Sequence, residues 1–215
     1  LHQSTNDTFP TALKIAGLRY LAELEAATVV LLGALQAKEH AWAHILILGR
    51  TELQAAVPMT LGAVFSGFAH LVAEDRWRVS KTRERLRVVN LGGTAVGTGL
   101  AAKREYIVAV IETLRDVTGL NLARAENPVY ATQNIDAIVE TSGLVRTQAA
   151  NLTKMADDVR TYALLGELTL PFYQPGSSLM PGKVNPVICE AAMQAGLRVM
   201  ADDRLIADAA SRGRL

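Results

Sequence analysis

Between Gly176 and Pro186 the chain reads Gly176-Ser177-Ser178-Leu179-Met180-Pro181-Gly182-Lys183-Val184-Asn185-Pro186. Two hydroxyls, an ammonium, an amide and two glycines fall in this short run, a set able to hold a carboxylate or to stabilise a developing carbanion. A helical pattern follows Pro186, and the free N–H groups at a helix start favour anions. The same composition fits a linker between two helices with a solvated lysine, so the residues alone leave both readings open. Two more polar stretches interrupt long apolar segments: Gln3-Ser4-Thr5-Asn6-Asp7 and Gly49-Arg50-Thr51-Glu52-Leu53-Gln54. Loops of this kind on rigid scaffolds commonly carry chemistry. Ser4, Thr5 and Asn6 offer hydroxyl and amide donors that hold an anion without a permanent ion pair, and they serve equally as the N-cap of a helix.

Other chemistries find little support. The run Gly92-Gly93-Thr94-Ala95-Val96-Gly97-Thr98-Gly99 has no following Lys-Ser/Thr and no preceding strand pattern, so it is not read as a phosphate cradle. His2, His40, His44 and His70 lack carboxylate or cysteine companions at metal-binding spacing, although His40 and His44 lie one helical turn apart; structural roles are expected for them. No cofactor or metal is called for. Cys189 is the one cysteine, which excludes an internal disulfide and favours a reducing, cytoplasmic compartment.

These stretches must be held by helices. From Pro10 to about His40 the residues Leu13, Leu21, Leu24, Leu31, Leu32 and Leu35 recur at helical steps, with Asn6 or Asp7 as cap. Pro58 opens a second long helix through Leu61, Val64, Phe65, Phe68 and Leu71 toward Val89, with a basic second half, and the glycine cluster breaks it. Further helices are expected over Lys103–Val117, Asn134–Leu165 and from Pro186 through Ala209, while four prolines keep Pro171–Pro186 irregular. No segment alternates with period two over a strand's length. The fold class is therefore all-α, a bundle of long helices occupying residues 1–215 as one domain.

Composition sets the outer bounds. The chain has 215 residues, 50% of them hydrophobic, with 22 Lys+Arg against 21 Asp+Glu. That supports a sizeable core, and a net charge of +1 gives no global attraction to nucleic acid or to a membrane surface. The most apolar stretch, Ala26–Ala37, is bracketed by Glu23, Glu25, Lys38 and Glu39, and is shorter than the ~20 residues a bilayer requires. Leu1 is not an initiator methionine, so the start is read as internal to a longer gene product.

The segment Gly176–Pro186 resembles the signature of the fumarase/aspartase superfamily, and Lys183-Val184-Asn185-Pro186 looks like the version carried by its fumarase and aspartate ammonia-lyase branches. Gln3–Pro10 resembles that family's substrate-carboxylate loop, Gly49–Leu61 its second conserved region, and Leu91–Leu100 its glycine-threonine stretch. The four motifs stand in family order across nearly the whole chain. The resemblance implies the central helical region of a longer protein, lacking an N-terminal part and a C-terminal domain.

The family reaction is anti elimination across a succinyl skeleton, which leaves fumarate. By resemblance Ser177 is the general base. Lys183 and Asn185 bind the carboxylate beside the abstracted proton, and Ser4, Thr5 and Asn6 bind the other end of a small dicarboxylate substrate. Thr51 and Glu52 stand where the family places threonine followed usually by histidine or glutamine. Glutamate is a departure. It is protonated, paired with a cation, or in contact with a substrate amine. Ser4-Thr5-Asn6, Val57-Pro58-Met59-Thr60-Leu61 and Pro186-Val187-Ile188 lean toward L-aspartate as substrate, with L-malate the alternative and an inactive helical core or assembly module the second. The resemblance further implies a homotetramer whose sites draw the Ser4, Thr51 and Ser177 loops from three subunits. Helices of about 30 residues run ~45 Å, which lets antiparallel chains bring opposite ends together.

Overall fold

The computed structural model describes residues 3–213; His2 lies outside them. Helices dominate, as the all-α expectation requires. In chain order the elements are α1 (Thr5–Ala41), β1 (Leu46–Thr51), β2 (Gln54–Thr60), α2 (Leu61–Leu86), β3 (Val88–Val89), α3 (Arg104–Thr118), β4 (Ala123–Arg124), α4 (Pro128–Gln133), α5 (Asp136–Leu164) and α6 (Val187–Ser211). They form two compact units, residues 3–27, 76–144 and 203–213 in one and 28–75 and 145–202 in the other.

In the first unit α1 begins earlier than its pattern suggests. Ser4 rather than Asn6 or Asp7 is the cap: its Oγ accepts from the N–H of Asn6 at 3.1 Å, and Asp7 Oδ1 accepts from the N–H of Ser4 at 2.9 Å. This reciprocal box satisfies two donors that a bare helix start leaves open. Pro10 then sits inside the helix. Having no N–H, it leaves the carbonyl of Asn6 without its usual partner four residues on, and Asn90 Nδ2 donates to that oxygen at 3.0 Å. The buried stripe of this half of α1 is Asp7, Thr11, Lys14, Leu18 and Leu21, whereas Leu13 is exposed. Lys14 stays buried because its ammonium donates to the carbonyl of Val88 at 2.7 Å. Burial lowers its pKa, against the raising effect of Asp136.

The core of this unit is Leu18, Leu21, Val79, Leu86, Val89, Leu91, Ile111 and Leu122. Strands β3 and β4 pair in parallel, Val88 with Ala123 and Val89 with Arg124. The six-residue α4 was not anticipated, since one turn and a half carries no readable period. Its start has a local cause, Asn127 Oδ1 accepting from the N–H of Tyr130 with Pro128 in the first turn. Gly97 packs there at φ +90°, and a Cβ on it would lie 2.5 Å from Pro128 O and from Val129 Cα. Both contacts are backbone and cannot swing aside. Gly97→Ala is expected to lower unfolding free energy by roughly 2–4 kcal/mol, combining a left-handed backbone with overpacking; chemical denaturation of the purified protein measures it.

The second unit is centred on Leu35, Leu61, Phe65, Phe68, Ala69 and Val72. Phe65 takes edge-on contacts from Trp42 and Phe68, with centroids at 4.8 and 5.5 Å, geometry that adds to area burial. Here the sequence reading is corrected. Leu46–Thr60 is a β-hairpin and α2 starts at Leu61, not at Pro58. Thr60 caps that helix, its Oγ accepting from the N–H of Ala63 at 3.1 Å. Pro58 lies in β2 opposite Leu48, a place open to a residue without an N–H because a two-stranded ribbon consists of edges. The hairpin escapes pattern reading because β2 is exposed from Gln54 to Pro58 and a bulge between Leu48 and Arg50 breaks the alternation.

Candidate active site

The Ser4–Asn6 turn is held from beneath by Asp7. That carboxylate is fully buried. Besides the Ser4 N–H on Oδ1, its Oδ2 accepts from the N–H groups of Gly92 at 3.1 Å and Thr94 at 3.0 Å. Asn6 Nδ2 donates to Ala95 O at 2.8 Å. The glycine-threonine stretch is thus a tight turn strapped to the start of α1, with Gly92 at φ +93° and Thr94 at φ +59°. Thr5 and Asn6 remain at the surface and Ser4 is half-buried.

Thr51 and Glu52 lie at the tip of the hairpin. Thr51 pairs with Gln54, so the turn consists of Glu52 and Leu53 alone. Both have left-handed backbones, φ +50° and +63°. A two-residue turn of this hand normally uses Asn-Gly, because side chains disfavour positive φ. Holding side-chain-bearing residues there costs about 1 kcal/mol or more each. Both side chains are exposed. One pair back from the tip the hairpin is anchored, Arg50 Nη1 donating to both oxygens of Glu167 at 2.8 and 2.9 Å and to Leu48 O at 3.1 Å.

In the same unit, residues 165–186 form the long irregular segment expected from its prolines. Its two stems meet. A Cβ added to Gly176 would lie 1.9 Å from Lys183 O, so only glycine allows this approach. Between them the chain reverses through Met180 N–H to Ser177 O at 3.3 Å and Lys183 N–H to Met180 O at 3.2 Å, with Gly182 at φ +82°. Ser177 and Lys183 therefore belong to one closed loop despite the residues between them. Ser177 Oγ accepts from the N–H of Leu179 at 3.1 Å and is half-buried, while Lys183 is exposed. Asn185 borders a cavity of about 650 Å³ beside Arg160, Thr161, Leu168 and Pro186.

Of the eight residues singled out from sequence, Ser4, Thr5 and Asn6 lie in the first unit and Thr51, Glu52, Ser177, Lys183 and Asn185 in the second. Asp7, Asn90, Arg50 and Glu167 carry the loops but were not assigned that work. The Ser4-to-Asp7 spacing of a capping box was the available signal for Asp7; nothing local marks the pairing of Arg50 with Glu167. Burial pushes the Cys189 thiol up, away from the thiolate a nucleophile requires. His40, His44 and His70 are exposed, and among the described residues no group of three His, Cys, Asp or Glu is arranged to hold a metal.

Residues 1–201 match the family described as Lyase. Aspartate ammonia-lyase of Bacillus subtilis (strain 168) is 41% identical over 220 residues, covering 100% of this chain and 46% of that protein. The chain belongs to the fumarase/aspartase superfamily. Fumarate hydratase class II of Helicobacter pylori (strain ATCC 700392 / 26695) is 42% identical over 223 residues, 99% of this chain and 47% of that one. Among solved structures, a "fumarate lyase:delta crystallin" of Brucella melitensis bound to cobalt superposes with a TM-score of 0.96 at 41% identity, over 100% of this chain and 48% of the other. Recombinant class II fumarase from Schistosoma mansoni gives 0.89 at 31%, over 100% and 49%. This superfamily member thus spans about half the length of the curated relatives it matches.

Proposed function

We propose that the protein carrying this chain is a carbon–nitrogen lyase that converts L-aspartate to fumarate and ammonia by anti elimination. The observation that carries this reading is the closed loop in a chain of this superfamily, where Gly176 seats Ser177 and Lys183 on facing stems. Ser177 Oγ takes the proton from the carbon beside a carboxylate. The Leu179 N–H supports that role, because a donor aimed at the oxygen favours its deprotonated form. As the C–H bond breaks, the electron pair moves onto the adjacent carboxylate, whose dianionic form the ammonium of Lys183 and the amide of Asn185 stabilise. The pair then returns to form the C=C bond as the C–N bond breaks and ammonia leaves. Ser4, Thr5 and Asn6 hold the second carboxylate, with Thr51 completing the substrate-binding set.

Glu52 favours an amino-acid substrate. Its carboxylate stands exposed on a strained turn, where an ammonium group adds opposite charge and a hydroxyl offers only a neutral donor. L-Malate, dehydrated by the same groups, is the second reading, supported by the similarity to fumarate hydratase class II. Steady-state assays of the full-length protein decide between them: fumarate is expected from L-aspartate and not from L-malate, and the reverse result overturns the assignment. Lys183→Met is expected to raise KM and lower kcat together, since the charge acts on bound substrate and on the dianion. Unchanged kinetics would return Lys183 to a solvated linker.

A homotetramer with sites shared between three subunits belongs to the same proposal. It is supported by apolar side chains left at the surface, among them Leu46, Leu53 and Val57 on the hairpin and Tyr20 and Val30 on α1. A monodisperse monomer by light scattering at micromolar concentration overturns it. Among the described residues no helix is long and apolar enough to cross a membrane, and a cytoplasmic location is proposed from cysteine usage alone.

A further inference from the structure

We infer that Asp7 and Asn90 are positioning residues for substrate binding: a buried clamp that sets the Ser4–Asn6 turn in its ligand-holding shape. The inference rests on the proposed role of Ser4, Thr5 and Asn6. Asp7 is 0% exposed and Asn90 1%, so neither touches a ligand at the surface of the turn. Each nonetheless fixes the turn from a different side. Asp7 accepts backbone N–H groups from Ser4, Gly92 and Thr94, joining two chain segments that local forces would leave independent. Asn90 Nδ2 donates to the Asn6 carbonyl that Pro10 vacates, and also to Thr132 Oγ at 3.0 Å. Thr11 Oγ, 2.7 Å from Asp7 O, lies 3.5 Å from Asn90 Oδ1.

A helix start needs less than this. The Ser4–Asp7 box meets the first turn's local demand, whereas the Gly92 and Thr94 N–H groups on Asp7 Oδ2 and the Asn90 amide come from outside the helix. A buried carboxylate is expensive to desolvate unless several donors surround it. What the clamp adds is a fixed separation between the side chains of Ser4–Asn6 and the turn at Gly92–Ala95, to which Asn6 Nδ2 is bonded. Donors held in place before the ligand arrives lose less freedom on binding. The carboxylate end held there does not change charge during elimination, so the clamp acts on substrate and transition state alike. Loosening it therefore raises KM and leaves kcat nearly unchanged.

The test uses the full-length protein with succinate, an unreactive dicarboxylate, in calorimetric titrations, and L-aspartate in steady-state assays. Asp7→Asn and Asn90→Ala are each expected to weaken succinate at least ~10-fold and to raise KM for L-aspartate by a similar factor, with kcat within ~3-fold of wild type. Asn90→Ala introduces no charge change and keeps the inference testable should Asp7→Asn fail to fold. Lower melting temperatures with unchanged succinate affinity and KM would show a merely structural clamp and overturn the inference. Asn6→Ala separates the two claims. If it weakens succinate while Asp7→Asn and Asn90→Ala do not, the clamp alone is wrong; if Asn6→Ala binds succinate as wild type does, the reading of the turn falls and the clamp's role with it.

Discussion

Ser177→Ala in the full-length protein is expected to lower turnover of L-aspartate at least ~10²-fold, the scale of a lost general base, with its melting temperature unchanged. Ser177 is half-buried and its hydroxyl accepts from the Leu179 N–H, so removing it leaves a backbone donor that water can satisfy. Folding has little stake in it. Of the two hydroxyls on this loop, Ser177 is the one the resemblance assigns as base, being the first serine of the signature; Lys183 as a cation cannot accept a proton, and Asn185 is neutral. Binding of succinate should persist, because the groups proposed to hold its carboxylates are untouched. Near-normal turnover would reject Ser177 as the base, and loss of both turnover and succinate binding would point to a collapsed loop instead.

Gly176→Ala is expected to lower turnover by a comparable factor for a different reason. The added methyl would sit 1.9 Å from Lys183 O, well inside any van der Waals contact, and a backbone oxygen cannot rotate out of the way. The stems must part by more than an ångström, and the ammonium of Lys183 moves with them relative to Ser177. Displacements of that size in positioned groups are worth about 10²-fold in rate. The loop is largely exposed, from Leu179 to Val184 without interruption, so the melting temperature should fall by no more than a few degrees. Activity equal to wild type would mean that the two stems need not meet.

The two variants probe what was readable at different depths. Ser177, Lys183 and Asn185 stand out in the sequence as polar types among prolines and glycines, and only the resemblance to the family signature separates them from a solvated linker. That Ser177 and Lys183 share one closed loop is a fact of the backbone path, visible only when Gly176 is found against Lys183. The helical skeleton was legible for the same physical reason that it folds. A period of 3.6 in apolar residues is local information, and α3, α5 and α6 begin and end within two residues of the expected bounds. The hairpin was not legible, since β2 is exposed from Gln54 to Pro58, a bulge interrupts the alternation, and Arg50 is held by Glu167, a partner distant in sequence. Leu13 shows the limit of periodicity on a helix that was otherwise recognised. It carries the expected apolar type yet is exposed, while Thr11 and Lys14 are buried because the carbonyls of Asp7 and Val88 accept from them.

By itself the sequence determined the helical class, the irregular segment before α6, and the residue types available to a lyase of this superfamily, because each follows from composition and spacing along a few turns of chain. Tertiary structure decided which of those residues meet and what holds them: the two units, the hairpin that presents Thr51 and Glu52, and the buried Asp7 and Asn90 beneath Ser4–Asn6. Those are pairings between groups up to more than a hundred residues apart, as Arg50 is from Glu167. Their energy appears only when the backbone has brought them together, so no local window of sequence contains it.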